Sequence, residues 1–453
     1  MSIAASLRSK YTNIKKDKDF FEIINGSIWS IGAKILAVIF GLILNLLITR
    51  YYGAESMGLF ALISSFFSFT LIFNLLGIDT SILRLIPEYK SKYSFYSAKN
   101  IYIKLLKLVI LFSIIILIIS YFSAETISIK IFKNETLIPL IALASFFVIP
   151  QAISRLNESA LRAFGAIKLF AIMQISNQFS KVIILVLLTI ISFQEYNPIY
   201  TIFYSYIITM IISIIFIIYI FKNNKTNIQL TANKNLDYLN ILTLSLPMFL
   251  TSGMYAIMSQ ADIVMLGSMS TLDKVGIYTI AMKLSALTSF ILSTINTMAA
   301  PKFSELYHTN QMNTLKNIAQ RSTKMMFWSS LPIVIFFILF GKWILEMFGD
   351  GFIVGYNTLL ILIIGQFINA ISGSVGYFLN MTGYQKELNI IISISVILNI
   401  ILNYFAIPIY GIEGAAIASA FSLILWNILA SIYIKIKFGF FIGYIPIYKL
   451  GEK

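Results

Sequence analysis

Among the ionisable side chains that interrupt long apolar runs in this chain are Lys34, Lys181, Asp262 and Lys283. A charge at the centre of an isolated membrane helix costs ~2.5–3.5 kcal/mol on an insertion scale, so such groups face a bundle interior or a wet cavity and are functional candidates. Lys34 lies in "SIWSIGAKILAVIFGLILNLLITRYYGAESMG" (27–58), about ten residues into the first apolar run, or ~15 Å deep at 1.5 Å per residue. Its stem can snorkel only part of that way. A cavity-lining amine suits the position, and so does one held in a structural ion pair. Lys181 sits in "NQFSKVIIL". Asn177, Ser180 and Lys181 fall at i, i+3 and i+4 and share one helix face. That polar stripe either faces water or forms a seam between helices. Asp262 and Lys283 lie at comparable depth in consecutive runs. They suit an ion pair, the alternative being a carboxyl that takes up and releases protons. Three cations against one acid leave an excess of positive charge. Lysine is a compact point charge that releases an anion more readily than a bidentate arginine clamp does.

Other charged groups sit at the ends of the runs. Arg50 closes the first run, followed by Tyr51 and Tyr52. It suits an interfacial anchor in an aromatic belt, or an outer gate that holds phosphate or sugar. Arg84, with Asp79 and Glu88, follows the second run, and Arg155 and Arg162 flank the connection after the fourth. They could admit an anionic headgroup, although membrane topology alone also accounts for them. His308 is the single histidine and there is no cysteine. Thiolate chemistry and disulfides are therefore excluded. No metal cluster, nucleophile–base pair or phosphate-cradling glycine loop is visible, so no enzyme, metal or cofactor is expected.

These residues need membrane-spanning helices to position them. The chain has 453 residues, 58% hydrophobic and 12% charged, with mean hydropathy +0.85. Soluble domains carry about 25% charged residues. Apolar runs long enough to cross a ~30 Å hydrocarbon core recur at 24–49, 57–78, 101–121, 137–153, 169–192, 198–221, 241–266, 275–298, 323–340, 357–380, 388–408 and 412–434. Pro139 and Pro150 bracket the fourth. Of the 34 Lys and Arg, 26 lie at the N-terminus, around the even-numbered connections and at the C-terminus. The odd-numbered connections hold five, Arg50, Lys130, Lys133, Lys274 and Lys342. The positive-inside rule then puts both termini in the cytoplasm. It also explains most of the net charge of +15, so nucleic acid is not an expected partner. The basic N-terminus leads into an uncleaved first span, not a signal peptide.

An internal repeat is visible at an offset of 218 residues. "ESMGLF" (55–60) pairs with "DKVGIY" (273–278), "LRAFGAIK" (161–168) with "LNMTGYQK" (379–386), and Glu195 with Glu413. An even number of spans per repeat gives both halves one orientation, with a pseudo-twofold axis along the membrane normal. The expected fold is an all-α polytopic membrane protein with about twelve transmembrane helices in two six-helix lobes. Its parts are a basic cytoplasmic N-terminus (1–23), an N-terminal lobe (24–221), a polar cytoplasmic linker (222–240), a C-terminal lobe (241–435) and a cytoplasmic tail (436–453).

"RYYGAESMGLFAL", "LLGIDTSILRLIPEY" (75–89), "ADIVMLG", "VGIYTIAMKL" to residue 284, "PKFSEL" (301–306) and "YGIEGAAIAS" (410–419) follow one another in order. Together they resemble the polysaccharide transporters, the O-antigen flippase branch of the multidrug/oligosaccharidyl-lipid/polysaccharide exporter superfamily. The resemblance covers nearly the whole chain. It departs at Ile263, where many relatives have a basic residue, and in span number, which is often fourteen. It implies alternating access in the bacterial cytoplasmic (inner) membrane. Undecaprenyl-diphosphate-linked oligosaccharide, such as an O-antigen repeat unit in lipopolysaccharide biosynthesis, would move from the cytoplasmic to the outer leaflet. It also implies a central cavity between the lobes. Lys34, Lys181, Lys283 and Arg50 would offer that cavity's cations to the diphosphate, with Asp262 as a site for coupling to a proton or sodium gradient. Expected partners are the lipid-linked oligosaccharide, membrane lipids and the polysaccharide polymerase and chain-length machinery, with the chain itself a monomer. Two transport alternatives remain, a multidrug/cation antiporter and an exporter of a teichoic or capsular polymer intermediate. The antiporter needs deep acids in the N-terminal lobe, where this chain offers Lys34. A glycan polymerase or ligase needs a large outer loop, and the longest is roughly 122–136.

Overall fold

The computed structural model describes residues 18–224 and 237–444, which form helices and turns with no strand among them. The basic N-terminus (1–23), the linker (222–240) and the tail (436–453) lie in large part outside the described residues. In hydrocarbon every backbone donor and acceptor must be satisfied within the chain, and a helix does this segment by segment.

Ten helical segments among the described residues are long and apolar enough to cross a membrane. The helices are α1 (Lys18–Leu75), α2 (Ile78–Lys92), α3 (Phe95–Phe122), α4 (Leu137–Ala163), α5 (Ile167–Ile191), α6 (Asn197–Asn223) and α7 (Tyr238–Met269). They continue with α8 (Leu272–Ser285), α9 (Phe290–His308), α10 (Met312–Phe348), α11 (Tyr356–Ser372), α12 (Val375–Met381) and α13 (Gln385–Phe438). Two of them each take up two of the expected spans. Both are broken by a non-helical glycine, Gly53 (φ 83°, ψ −177°) in α1 and Gly411 (φ 57°, ψ −128°) in α13. A straight helix of α13's length would reach ~80 Å, far beyond the ~30 Å core, so the break is where the chain can turn. The expected fourth span continues past Pro150 to Ala163. Membrane helices tolerate such a proline because neighbouring groups satisfy the freed carbonyl. The eighth expected span is α8 joined to α9 by a 3₁₀ turn, Ala286–Ser289.

Two compact units result. The first is Met1–Leu44, Thr70–Ser123 and Ile141–Leu250; the second is Asn45–Phe69, Ala124–Leu140 and Thr251–Lys453. These are contact groupings, distinct from the sequence repeats. In the first unit, Ile78, Ile82, Leu105, Leu156 and Leu161 build a core between α2, α3 and α4. A polar tie crosses it. Tyr102 Oη donates to Asn157 Oδ1 at 2.6 Å, and Asn157 Nδ2 donates to Ser213 Oγ on α6 at 2.9 Å. In the second unit, Phe303, Phe378, Leu388 and Ile392 form the core where α9, α12 and α13 meet.

The sequence repeat recurs as matched geometry. Gly165 and Gly383 have φ of 85° and 88°. The Ala166 N–H bonds to Leu161 O, and the Tyr384 N–H to Leu379 O, each at 2.9 Å. This is the six-to-one closure of a Schellman turn, repeated at the same offset. The following helices, α5 and α13, start at Ile167 and Gln385, again 218 apart. A second correspondence lies within the second unit. A Cβ on Gly58 would collide with the Leu272 carbonyl, and one on Gly276 with the Ala54 carbonyl. Residues 54 and 58 are the repeat counterparts of 272 and 276, so the contact is reciprocal, as a twofold demands.

The space around Gly165 and Gly383 is open, so an alanine there meets only backbone strain. Gly165→Ala and Gly383→Ala should each lower stability by about 1–2 kcal/mol, and by similar amounts. Unfolding in mixed detergent–SDS micelles measures this. Unequal effects, or none, would contradict the equivalence of the two turns.

Candidate functional site

Asp262 projects from α7 and is 2% exposed. Four neutral side chains donate to it. Tyr278 Oη on α8 reaches Oδ2 at 2.6 Å. Asn403 Nδ2 reaches Oδ1 at 2.7 Å and Asn399 Nδ2 reaches it at 3.3 Å, both from α13 before its break. Ser419 Oγ, beyond the break, bonds to Oδ2. A carboxylate accepts and does not donate, and both of its oxygens are used. Asn403 Oδ1 is buried and has no hydrogen-bond partner among the described residues. The cage is thus rich in oxygens and amides, and among the described residues no fixed cation is bonded to the carboxylate. Such a set can hold a proton or a small hard cation, which takes oxygen ligands. The sequence contained a signal for it, since Asn399 and Asn403 stand four apart in an apolar run and share a face.

Lys283 is not among the groups bonded to Asp262. Its Nζ donates to Asn45 Oδ1 on α1 at 2.8 Å and lies 5.6 Å from the Phe60 ring centroid. The depths of the two residues matched, but their azimuths direct them to different helices.

Lys181, on α5, lies over the Tyr206 ring of α6 at 5.6 Å, and Gln151 Nε2 donates to Tyr206 Oη at 3.3 Å. Ser180 turns back to its own helix, to Asn177 O. Along the same face, Gln174 Oε1 and Asn177 Oδ1 are buried without a hydrogen-bond partner among the described residues. Buried acceptors are nearly always paired, so the Gln174–Asn177–Lys181 stripe offers acceptors that an outside donor could meet. Gln174 was not singled out in the sequence, although it continues the stripe by one turn. Lys34 is half-buried on α1 in the same unit.

Arg50 has a clear structural role. Its Nε donates to Met347 O at 2.5 Å and its Nη2 to Glu346 O at 2.9 Å, at the C-terminal end of α10. Glu346 O also accepts the capping Gly349 N–H at 3.0 Å, so Arg50 adds to a capped helix end, where the carbonyls carry the negative end of the helix dipole. Arg84 and Lys92 flank Glu88 at 3.9 and 2.8 Å, and the Lys92 bond holds that carboxyl below its usual range. Arg155 pairs with Glu158 at 3.0 Å and faces Asp79. Burial pushes the Asp79 carboxyl up, and Arg155 partly offsets the rise. Arg162 lies over Phe170 at 5.9 Å. These three arginines are therefore engaged locally.

Among the described residues no group of three or more His, Cys, Asp or Glu is arranged to hold a metal. A cavity of about 390 Å³, lined in part by Glu55, Lys133, Asn134 and Asp273, touches none of the residues selected from the sequence.

Comparison with known proteins agrees with this organisation. A family model described as polysaccharide biosynthesis protein matches residues 23–307, and one described as MatE matches 247–405. The probable flippase AglR of Haloferax volcanii is 30% identical over 175 residues, which are 38% of this chain and 37% of that protein. The match thus spans little more than a third of the relative's length. An inward-facing multidrug resistance MATE transporter of the MOP superfamily is similar in structure, with TM-score 0.75 and 13% identity over 91% of this chain and 98% of its own. The lipid II flippase MurJ, in an inward closed conformation, is similar at TM-score 0.72 and 17% identity, over 91% and 87%. At these identities the likeness is one of fold, the two-lobed helical fold of such transporters. The first family model covers more than half of the chain, so this multi-pass membrane protein belongs to the polysaccharide biosynthesis protein family, within the multidrug/oligosaccharidyl-lipid/polysaccharide exporter superfamily.

Proposed function

We propose that the protein flips an undecaprenyl-diphosphate-linked oligosaccharide from the cytoplasmic to the outer leaflet by alternating access. The observation that carries the reading is the sign of the intramembrane charge. Lys34 and Lys181 lie within the spans of the first unit, and Lys181 shares its face with two buried, unbonded acceptors. A diphosphate cannot cross hydrocarbon unaided, but it can follow water and ammonium groups. The amide acceptors suit the hydroxyls of an attached sugar. A flippase-named relative supports the same reading. A multidrug transporter shares the fold, so fold alone does not choose between substrates, whereas a cationic pathway disfavours cationic drugs. A teichoic or capsular intermediate carries the same anionic linkage and would use the same groups. Arg84, Arg155 and Arg162 would lie at the cytoplasmic entry. Polymerase and chain-length machinery would consume the product.

We place energy coupling at Asp262. Its cage joins α7, α8 and both arms of α13, so occupancy by a proton or sodium ion would bias how those helices pack. Lys283 would act apart from it, through Asn45.

Reconstitution in proteoliposomes tests both parts, with the glycolipid's sidedness read by an impermeant lectin. Lys181→Ala should slow flipping by about tenfold or more, since losing ~1.4 kcal/mol is tenfold. Lys181→Arg should keep glycolipid binding but slow turnover, because the guanidinium holds phosphate in a bidentate grip. Normal flipping by Lys181→Ala and Lys34→Ala alike would remove the cationic pathway. Asp262→Asn should abolish any acceleration by an imposed proton or sodium gradient. Acceleration equal to wild type would place coupling elsewhere.

A further inference from the structure

Resting on that transport reading, we propose that Arg50 latches an outer gate formed by the crossing of Gly58 and Gly276, and that the anionic headgroup releases the latch. The crossing lies at the end of the helices that the charge distribution places outside. Hydrogen on the α-carbon at 58 and 276 is what allows each backbone to touch the other repeat's turn, at Leu272 and Ala54. Met57, Phe60 and Val275, beside these glycines in the sequence, are buried. Lys283 to Asn45 at 2.8 Å and Ser65 Oγ to Gln260 Oε1 at 2.7 Å continue the seam along α1.

Arg50 stands at the rim of this seam, exposed, with its guanidinium on the two carbonyls that end α10. Those carbonyls are neutral. Phosphate oxygens are charged and accept from arginine about twice as strongly, in a bidentate pair. A diphosphate arriving at the outer end therefore competes for Arg50 and frees the end of α10. The ligand binds the unlatched form and not the latched one, which is the differential affinity that a population shift requires.

The chain has no cysteine, which allows a direct reading. Ser56, between Ala54 and Gly58 in the sequence, is 5% exposed. Ser56→Cys, in purified protein in nanodiscs, would be titrated with a hydrophilic maleimide. Labelling should be slow with Arg50 present and about tenfold faster with Arg50→Gln, since two charge-assisted bonds are lost. Inorganic pyrophosphate should accelerate labelling with Arg50 and have no effect with Arg50→Gln. Equal rates in the two backgrounds overturn the latch, and a latch indifferent to pyrophosphate overturns the exchange. Labelling needs no transport. A gate that responds in a protein that flips no glycolipid would therefore leave the latch standing and remove the substrate reading.

Discussion

Hydrocarbon offers a charged or polar group nothing, so such a group inside this protein is stabilised where another part of the chain answers it, and buried acceptors without a partner among the described residues, such as Asn177 Oδ1, stand out. Asp262 shows how far that demand reaches. Its two oxygens are met by side chains from α8 and from both arms of α13. One carboxylate thus fixes how four helical segments come together. Removing it would leave Tyr278, Ser419 and Asn399 without this acceptor, while Asn403 keeps its bond to Asn399 Oδ1, and a buried polar group left unbonded costs about 1–3 kcal/mol. Lys283 and Arg50 obey the same rule differently. One takes an asparagine oxygen of α1 and the other takes the carbonyl end of α10.

The repeat explains why these ties are where they are. The Schellman turns at Gly165 and Gly383, and the reciprocal crossing at Gly58 and Gly276, fall at one offset. The polar cargo does not follow the repeat. The first repeat carries Lys34 and Lys181 within its spans, and the second carries Lys283 and Asp262 with its amide cage. On the proposed function, that arrangement would separate a path for an anion from a site for a coupling ion. It is consistent with a fold that serves both a lipid flippase and a multidrug transporter.

Much of this was legible in the sequence, because the bilayer imposes a length and a composition on each span. The apolar runs, the repeat offset and the turns at 161–168 and 379–386 were all visible as strings. The two places where spans run together, at Gly53 and Gly411, were legible as breaks but not as continuous helices. Asp262 was visible as an outlier, yet its partners were not, because Asn399, Asn403 and Ser419 lie well over a hundred residues away. Depth along a helix can be counted from sequence, whereas azimuth cannot, so Lys283 looked like a partner for Asp262 and proved to face Asn45. Arg50 was hidden for a similar reason. It bonds main-chain carbonyls, which leave no mark in residue types.

On the proposed function, the intramembrane lysines make this protein an anion carrier. Equilibrium binding of a fluorescent undecaprenyl-diphosphate oligosaccharide to the purified protein tests it most directly, with unlabelled lipid diphosphate and a cationic dye as competitors. The charge arrangement predicts displacement by the lipid diphosphate, weakening with salt, and none by the dye. Saturable binding of the dye with no affinity for the diphosphate would contradict it.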